Sequence, residues 1–326
     1  MRYKLLILKF ALFIVGFALI HFALLKVFQF YAVDRSFVNK LYADFLAIEK
    51  PVKFLFIGDS HCGRDIDTDY IQDAYKFAVG GESNINTYYK LRQILQHSNA
   101  GDFEYLMLTA NITAFTTFTR NLKKNTFHYR QFHGLNDLLK ENDHSFKKYA
   151  SYFKYKFIPY IEMKEFVPFF GKAHKKLPGN RIADINRFSD EENQKEADFF
   201  VRNLLLQENQ KNVFDKEAVL FVQKTIELCK EHNIKVIYIK YPMSRFFVNA
   251  TVSFVEDSVL SNSPVEQIIK KNSNAILLDY LKTYKEKDTF FSDSHHLNQL
   301  GRKAFSQHLN DTLAIIGSRW PISESD

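Results

Sequence analysis

Two cysteines in 326 residues, Cys62 and Cys229, exclude a disulfide-stapled scaffold. A bridge between those two is not expected either. Cys62 follows the first predicted strand and Cys229 closes a predicted helix that feeds a later strand, so they fall at opposite edges of a sheet, beyond bridging distance. Glycine (11) and proline (7) are few, and no internal repeat is present. No small-x-small cleavage site follows the apolar N-terminal run, where the chain reads Leu24-Leu25-Lys26-Val27-Phe28. That absence favours an uncleaved membrane anchor over a removable signal peptide.

What is present points to a folded chain: 46% hydrophobic and 25% charged residues. Aromatics reach 16%, with 33 Phe and 17 Tyr beside abundant Lys, Asn and Ile, a bias that AT-rich codons also produce. The formal charge of +7 favours anionic surfaces and says little about fold. Leu5 to Leu25 is apolar except for Lys9 and His21, and Arg2, Lys4 and Lys9 flank its start. Such a run is long enough to span a bilayer once its flanking lysines snorkel. The positive-inside rule then places the start in the cytoplasm and residues from about Gln29 onward outside. The expectation is a single-pass protein of the bacterial inner membrane: residues 1–28 as anchor, 29–50 as a linker helix stopped by Pro51, and 51–326 as a periplasmic domain.

Within that domain, Phe54 to Ile57 is a continuous apolar run that ends at Gly58-Asp59-Ser60, so Lys53 to Ile57 reads as a strand buried on both faces. Further strands are predicted at Ala74–Val79, Phe103–Thr109, Ile234–Ile239 and Ala275–Leu278. Helices are predicted at Ser83–His97, from an Asp215 cap to Glu231, from a Ser263 cap and Pro264 to Lys271, and over Leu297–Ile316. Asp65 to Asp73 reads as a turn or short helix. Strands alternating with helices predict an α/β fold, a parallel sheet with helices on both faces. Alternation fails from Phe115 to Leu206, which is dense in aromatic and basic residues. This stretch reads as a helical insertion after the third strand, over the edge of the sheet where chemistry is expected.

Buried parallel strands carry their chemistry at their carboxyl ends. Ser60 stands there, and Asp293-Ser294-His295-His296 precedes the last helix. Acyl transfer through serine needs a base, a group that orients the base, and donors for the oxyanion. Ser60 supplies the nucleophile, His296 the base and Asp293 the orienting acid. The Asp-x-x-His spacing favours His296 over His295.

Gly58-Asp59-Ser60 after the first strand, with Asp293-x-x-His296-Leu297-Asn298 in the last loop, resembles the SGNH or GDSL-like hydrolase superfamily. The resemblance runs from about Lys53 to Leu313 and leaves out the insertion. It implies a flavodoxin-like three-layer sandwich and esterase, lipase or acyltransferase chemistry with no metal and no cofactor. It further implies that the Ser60 N–H is an oxyanion donor, with Gly81 (or Gly80) and Asn111 as the others. The third block departs from the usual Gly-x-Asn-Asp, reading Thr109-Ala110-Asn111-Ile112, and His61 stands where many members have Leu. By analogy with envelope acylation systems, the implied substrate is an acylated glycan or related polymer, and a membrane-bound acyltransferase is the implied partner. A non-catalytic binding subunit on the same fold is the second reading. Gly58-Asp59-Ser60-His61-Cys62-Gly63 is also similar to the first motif of calcineurin-like metallophosphoesterases, but the remaining ligand motifs of that family have no match. Nucleic acid is not an expected partner behind an export anchor.

Overall fold

In the computed structural model, the described residues are 2–34, 37–96, 103–116, 132, 146–161, 189–206, 213–256, 259, 262–318 and 320. The chain forms two compact units, Met1–Asp44 with Phe127–Lys176, and Phe45–Thr126 with Leu177–Asp326. The expected insertion, 115–206, therefore falls across both units, and much of it lies outside the described residues.

In the first unit, helix α1 (Arg2–Phe28) continues through a π-helical turn at Gln29–Val33. It is long and apolar enough to cross a membrane, and its apolar side chains are exposed. Helix α2 (Phe37–Leu46) follows and carries the chain into the second unit. The predicted linker helix thus breaks in two and ends before Pro51.

The second unit is built on five strands: β1 (Phe54–Gly58), β2 (Ala74–Ala78), β3 (Tyr105–Thr109), β4 (Lys235–Lys240) and β5 (Ala275–Asp279). All pair in parallel in the order β2-β1-β3-β4-β5, the flavodoxin-like order. Because side chains alternate along a strand, Phe54, Phe56, Tyr105, Met107, Ile237 and Ile239 line one face. There they pack against Phe305, Leu309, Leu313 and Ile316 of the last helix. Leu55, Ile57, Leu106, Leu108, Val236 and Tyr238 are buried on the other face.

The other α-helices are α3 (Ser60–Asp65), α4 (Asn84–Leu95), α5 (Phe146–Phe157, in the first unit), α6 (Asp190–Phe200), α7 (Lys216–Glu231), α8 (Arg245–Phe254), α9 (Pro264–Lys270) and α10 (Gln299–Ser318). α3 and α10 lie on one side of the sheet, and α4, α7 and α9 on the other, giving the three layers expected. The predicted caps form. Asp215 accepts from the N–H groups of Glu217 (2.9 Å) and Ala218 (3.0 Å), and Ser263 from that of Glu266 (3.5 Å). Both cysteines are free and buried.

Helix α8 is not foreseen from its sequence, Arg-Phe-Phe-Val-Asn-Ala-Thr-Val-Ser-Phe, rich in β-branched and aromatic residues that disfavour helix. Tertiary packing overrides that preference. Phe246, Phe247 and Ala250 close a second apolar cluster with Ala197 and Val201, so α8 and α6 share a core.

α10 starts two residues later than predicted because Leu297 pairs with Phe291 in a β-bridge and Asn298 turns the chain. Asn298 Oδ1 accepts from the Gly301 N–H (3.0 Å), and its amide donates to the Thr289 carbonyl (2.7 Å). A side chain at Gly301 would place Cβ 2.3 Å from the Phe290 carbonyl oxygen. Gly301→Ala is therefore expected to lower stability by about 1–3 kcal/mol, as overpacking against backbone does. Chemical denaturation checks this; an unchanged midpoint would mean that α10 shifts freely.

Candidate active site

The position of Ser60 begins at Gly58. Its φ of +152° and the 2.9 Å that would separate a Cβ from Thr109 Oγ1 exclude other residues. Asp59 then turns the chain and caps α3, accepting from the His61 N–H (3.0 Å) and the Thr109 hydroxyl (3.0 Å). This capping carboxylate is bound to backbone and hydroxyl donors, as suits a turn-forming neighbour of Ser60. With the cap in place the helix begins at Ser60 itself, earlier than the turn predicted from Asp65. Lys76 of β2 donates to the carbonyls of Gly63 (2.8 Å) and Ile66 (2.6 Å) and so ties down the far end of α3. Ser60 thus stands at the carboxyl edge of β1, beside the point where strand order reverses between β1 and β3.

The second arm is the loop from Ser292 to Asn298. Asp293 Oδ1 accepts from the backbone N–H groups of His295 (3.0 Å) and His296 (2.7 Å) and so folds its own loop. Its Oδ2 lies 3.0 Å from His296 Nδ1, and His296 Nε2 lies 3.0 Å from Ser60 Oγ. The carboxylate, imidazole and hydroxyl predicted from sequence form one hydrogen-bonded chain.

The loop is held from several sides. The Leu297 N–H donates to Asp65 Oδ1 (2.9 Å), the Ser294 N–H to Glu196 of α6 (3.0 Å), and the Ser244 hydroxyl to the Ser294 carbonyl. His295 borders the chain without taking the place of His296: its ring lies 4.1 Å from that of His296, and its Nδ1 is 3.6 Å from Asp293 Oδ1. It packs against Phe200, Phe247 and His61, and burial drives its pKa well below the ordinary value.

Three partners were not legible in the sequence. Arg64 lies one helical turn after Ser60, with Nη1 3.0 Å from His296 Nδ1 and 3.4 Å from Asp293 Oδ2. When Nε2 accepts from Ser60, Nδ1 carries the proton, so the carboxylate is the acceptor that Arg64 can use. Burial alone would raise the pKa of Asp293, but His296, His295 and Arg64 outweigh it and hold the carboxyl well below the usual range. Beneath them, His61 Nδ1 and Asp65 Oδ2 form a buried pair at 2.9 Å. Helical spacing offered the signal: once α3 starts at Ser60, positions 61 and 65, and 60 and 64, share faces.

Burial opposes charge on His61, yet the hydrogen bond to Asp65 and the fields of Asp59, Asp65 and Asp293 carry its pKa above 6.5. A raised folded pKa contributes stability that is complete below the unfolded value of 6.5 and is lost as pH rises through the higher folded value. The melting-temperature difference between the wild type and His61→Gln is therefore expected to be largest in mild acid and to shrink at alkaline pH. A difference that does not change with pH would rule out a charged His61.

The three expected oxyanion groups are arranged differently from one another. The Gly80-Gly81 turn comes against Ser60: a Cβ on Gly80 would sit 3.9 Å from that of Ser60. Gly81 adopts φ +74°. Asn111 is 1% exposed, and its amide makes a reciprocal pair with the Tyr241 backbone, accepting from N–H (2.7 Å) and donating to the carbonyl (3.2 Å). It stitches the end of β3 to the end of β4, and its second amide hydrogen is the one left for another acceptor. Asp293, His295 and His296 could also hold a metal ion, since their ligand atoms lie within 4.8 Å of one another. An ion there would have to displace the hydrogen bonds between Asp293 and His296.

No family model matches this sequence, and no curated protein matches it either. Solved structures similar to it include a candidate platelet activating factor from Streptococcus pneumonia (11% identity, TM-score 0.44), with 90% of this chain and 98% of that one covered. A GDSL-like lipase from Bacteroides thetaiotaomicron is similar over 87% of this chain and 99% of its own (10% identity, TM-score 0.39). A candidate acylhydrolase from Bacteroides fragilis is similar over 85% and 99% (12% identity, TM-score 0.40).

Proposed function

We propose that the chain is an SGNH-like serine esterase or O-acyltransferase. The observation that carries this reading is the continuous chain from Asp293 through His296 to Ser60 Oγ, with both N–O separations at 3.0 Å, at the carboxyl edge of a parallel sheet. In the proposed reaction Ser60 Oγ attacks the acyl carbonyl and its proton passes to His296 Nε2. Asp293 stabilises the imidazolium and fixes its tautomer. The N–H groups of Ser60 and Gly81, with the remaining Asn111 amide hydrogen, receive the oxyanion. Collapse expels the alcohol, which takes the proton from Nε2. Water or an acceptor hydroxyl then attacks the acyl-enzyme, and the same imidazole removes its proton.

The substrate class we assign is the O-acyl group of a cell-envelope glycan or related polymer, handled outside the cytoplasm by a domain anchored through α1. Transfer in place of hydrolysis requires water to be kept from the acyl-enzyme. α6 supports this, since Glu196 and Phe200 stand directly on the loop that carries the base. A membrane-bound acyltransferase would supply the acyl group. The binding-subunit reading draws on Asn111, whose amide is largely committed to Tyr241.

The test is exposure of the full-length chain to a short-chain nitrophenyl ester and to a serine-directed fluorophosphonate. Turnover with labelling at Ser60 is expected. Absence of both would leave the cleft a binding site. Acyl transfer to a glycan hydroxyl, measured against hydrolysis, then separates transferase from esterase.

A further inference from the structure

We propose that helix α5 is a second membrane element, lying along the bilayer surface with an apolar stripe in the acyl boundary and lysines on anionic headgroups. Phe146, Ala150, Phe153 and Phe157 recur at i, i+4, i+7 and i+11, which sets them on one side of the helix. That stripe faces outward: Phe146 is 85% exposed, Phe153 45% and Phe157 57%, and Ile161 extends it at 53%. At about 100° per residue, Lys154 falls on one flank of the stripe and Lys156 on the other. Lysines flanking an aromatic face are the arrangement by which a helix lies in an interface and lets its cations reach up to phosphates.

The occupant is fixed by what α5 is joined to. α5 belongs to the same compact unit as α1. Just past its end, the Tyr160 hydroxyl meets His21 Nδ1 at 2.8 Å, with the two rings edge to face. With the Lys26 ammonium, the last cation of α1, set at the headgroups, His21 lies five residues or about 7–8 Å deeper along the helix at ~1.5 Å per residue. An interfacial helix buries its apolar face to a depth of about 5–10 Å. A helix tied to His21 at that depth therefore has its stripe at the level of the acyl boundary, and Tyr160 sits where interfacial tyrosines collect. The inference rests on α1 spanning a bilayer and is independent of the chemistry at Ser60.

The test uses the full-length chain in phosphatidylcholine vesicles with and without phosphatidylglycerol. An environment-sensitive fluorophore is placed at Phe157→Cys or at Gly16→Cys within α1. The native cysteines are both buried, and burial pushes the Cys62 thiol up to about 12, so the introduced thiol takes the label. The probe at 157 is expected to be quenched by lipids brominated at shallow positions. That quenching should rise with phosphatidylglycerol and fall when Lys154 and Lys156 are changed to Gln. The probe at 16 should be quenched by deeply brominated lipids in every case. Quenching at 16 but not at 157 would overturn the proposal and leave the anchor standing; no quenching at 16 would remove the anchor itself. Protection at 157 through cross-linking to a second copy, or quenching indifferent to phosphatidylglycerol, would also overturn it.

Discussion

Ser60→Ala is expected to abolish ester turnover, with a fall in kcat on the order of 10⁴–10⁶, the range in which loss of a serine nucleophile falls. The size follows from the chemistry: without Oγ there is no acyl-enzyme, and only binding and oxyanion donors remain to assist water. The Ser60 hydroxyl's hydrogen bond is to His296, and Ser60 is only half-buried, so the change should hardly alter the melting temperature. Loss of activity at unchanged stability, with loss of fluorophosphonate labelling, is the expected pair of results. Full activity in the variant would sink the reading. Asp293→Asn supplies a second measure. It keeps the loop's shape but removes the charge opposite His296 Nδ1, so kcat should fall steeply while fluorophosphonate labelling slows and is not lost.

Lys90→Met is expected to destabilise the domain by about 3–5 kcal/mol, the cost of breaking a buried ion pair from one side. Lys90 is 0% exposed, and its ammonium lies 2.6 Å from Glu82 Oε2, 2.8 Å from the Phe77 carbonyl, and over the Phe77 ring at 4.2 Å. Thr87 donates to the other oxygen of Glu82 at 2.6 Å. Removing the ammonium strands a carboxylate in a place where water cannot reach it. Burial already depresses the Lys90 pKa, only partly offset by Glu82, which marks how costly the site is for charge. The double variant Glu82→Gln, Lys90→Met should recover much of the loss, because no charge is then left buried. Denaturant titration of the three proteins closes the cycle. A single-variant loss below about 1 kcal/mol would mean that water or a neighbour reaches Glu82. The pair also has a place near the site, since Glu82 directly follows the Gly80-Gly81 turn and its N–H donates to Val79 (2.9 Å).

The sheet was legible because its inner strands are short apolar runs closed by glycine, proline or polar residues, a pattern that burial on both faces imposes on β1, β3 and β4 and more weakly on the edge strands. Ser60, Asp293 and His296 were legible for a related reason: the carboxyl edge of a parallel sheet is where chain reversals put side chains in reach of one another. Sequence reading failed where tertiary contact decides. α8 is helical against its own propensities because Phe246 and Phe247 are needed in a core shared with α6. The start of α3 falls earlier than expected because Asp59 caps it at Ser60, and Thr109, fifty residues away, helps to hold that carboxylate. Arg64 and the His61–Asp65 pair were hidden by that same error. Among the oxyanion groups, Asn111 could be placed in sequence but not in role, since its commitment to Tyr241 depends on β3 and β4 lying side by side.

The hydrogen bond from the Leu297 N–H to Asp65 has a mechanical meaning. Asp65 and Ser60 are the two ends of one short helix, and Leu297 adjoins His296. A displacement of that helix would therefore carry Ser60 and the His296 loop together, which steadies the distance between His296 Nε2 and Ser60 Oγ. The Gly80-Gly81 turn touches Ser60 but has a second coupling, through Glu82 and Lys90 to α4 on the opposite side of the sheet. In the proposed reaction, proton transfer would keep a fixed register and oxyanion stabilisation would be the adjustable one. A bulky substrate entering the cleft would tune the rate through the glycine turn and leave the acid–base geometry untouched.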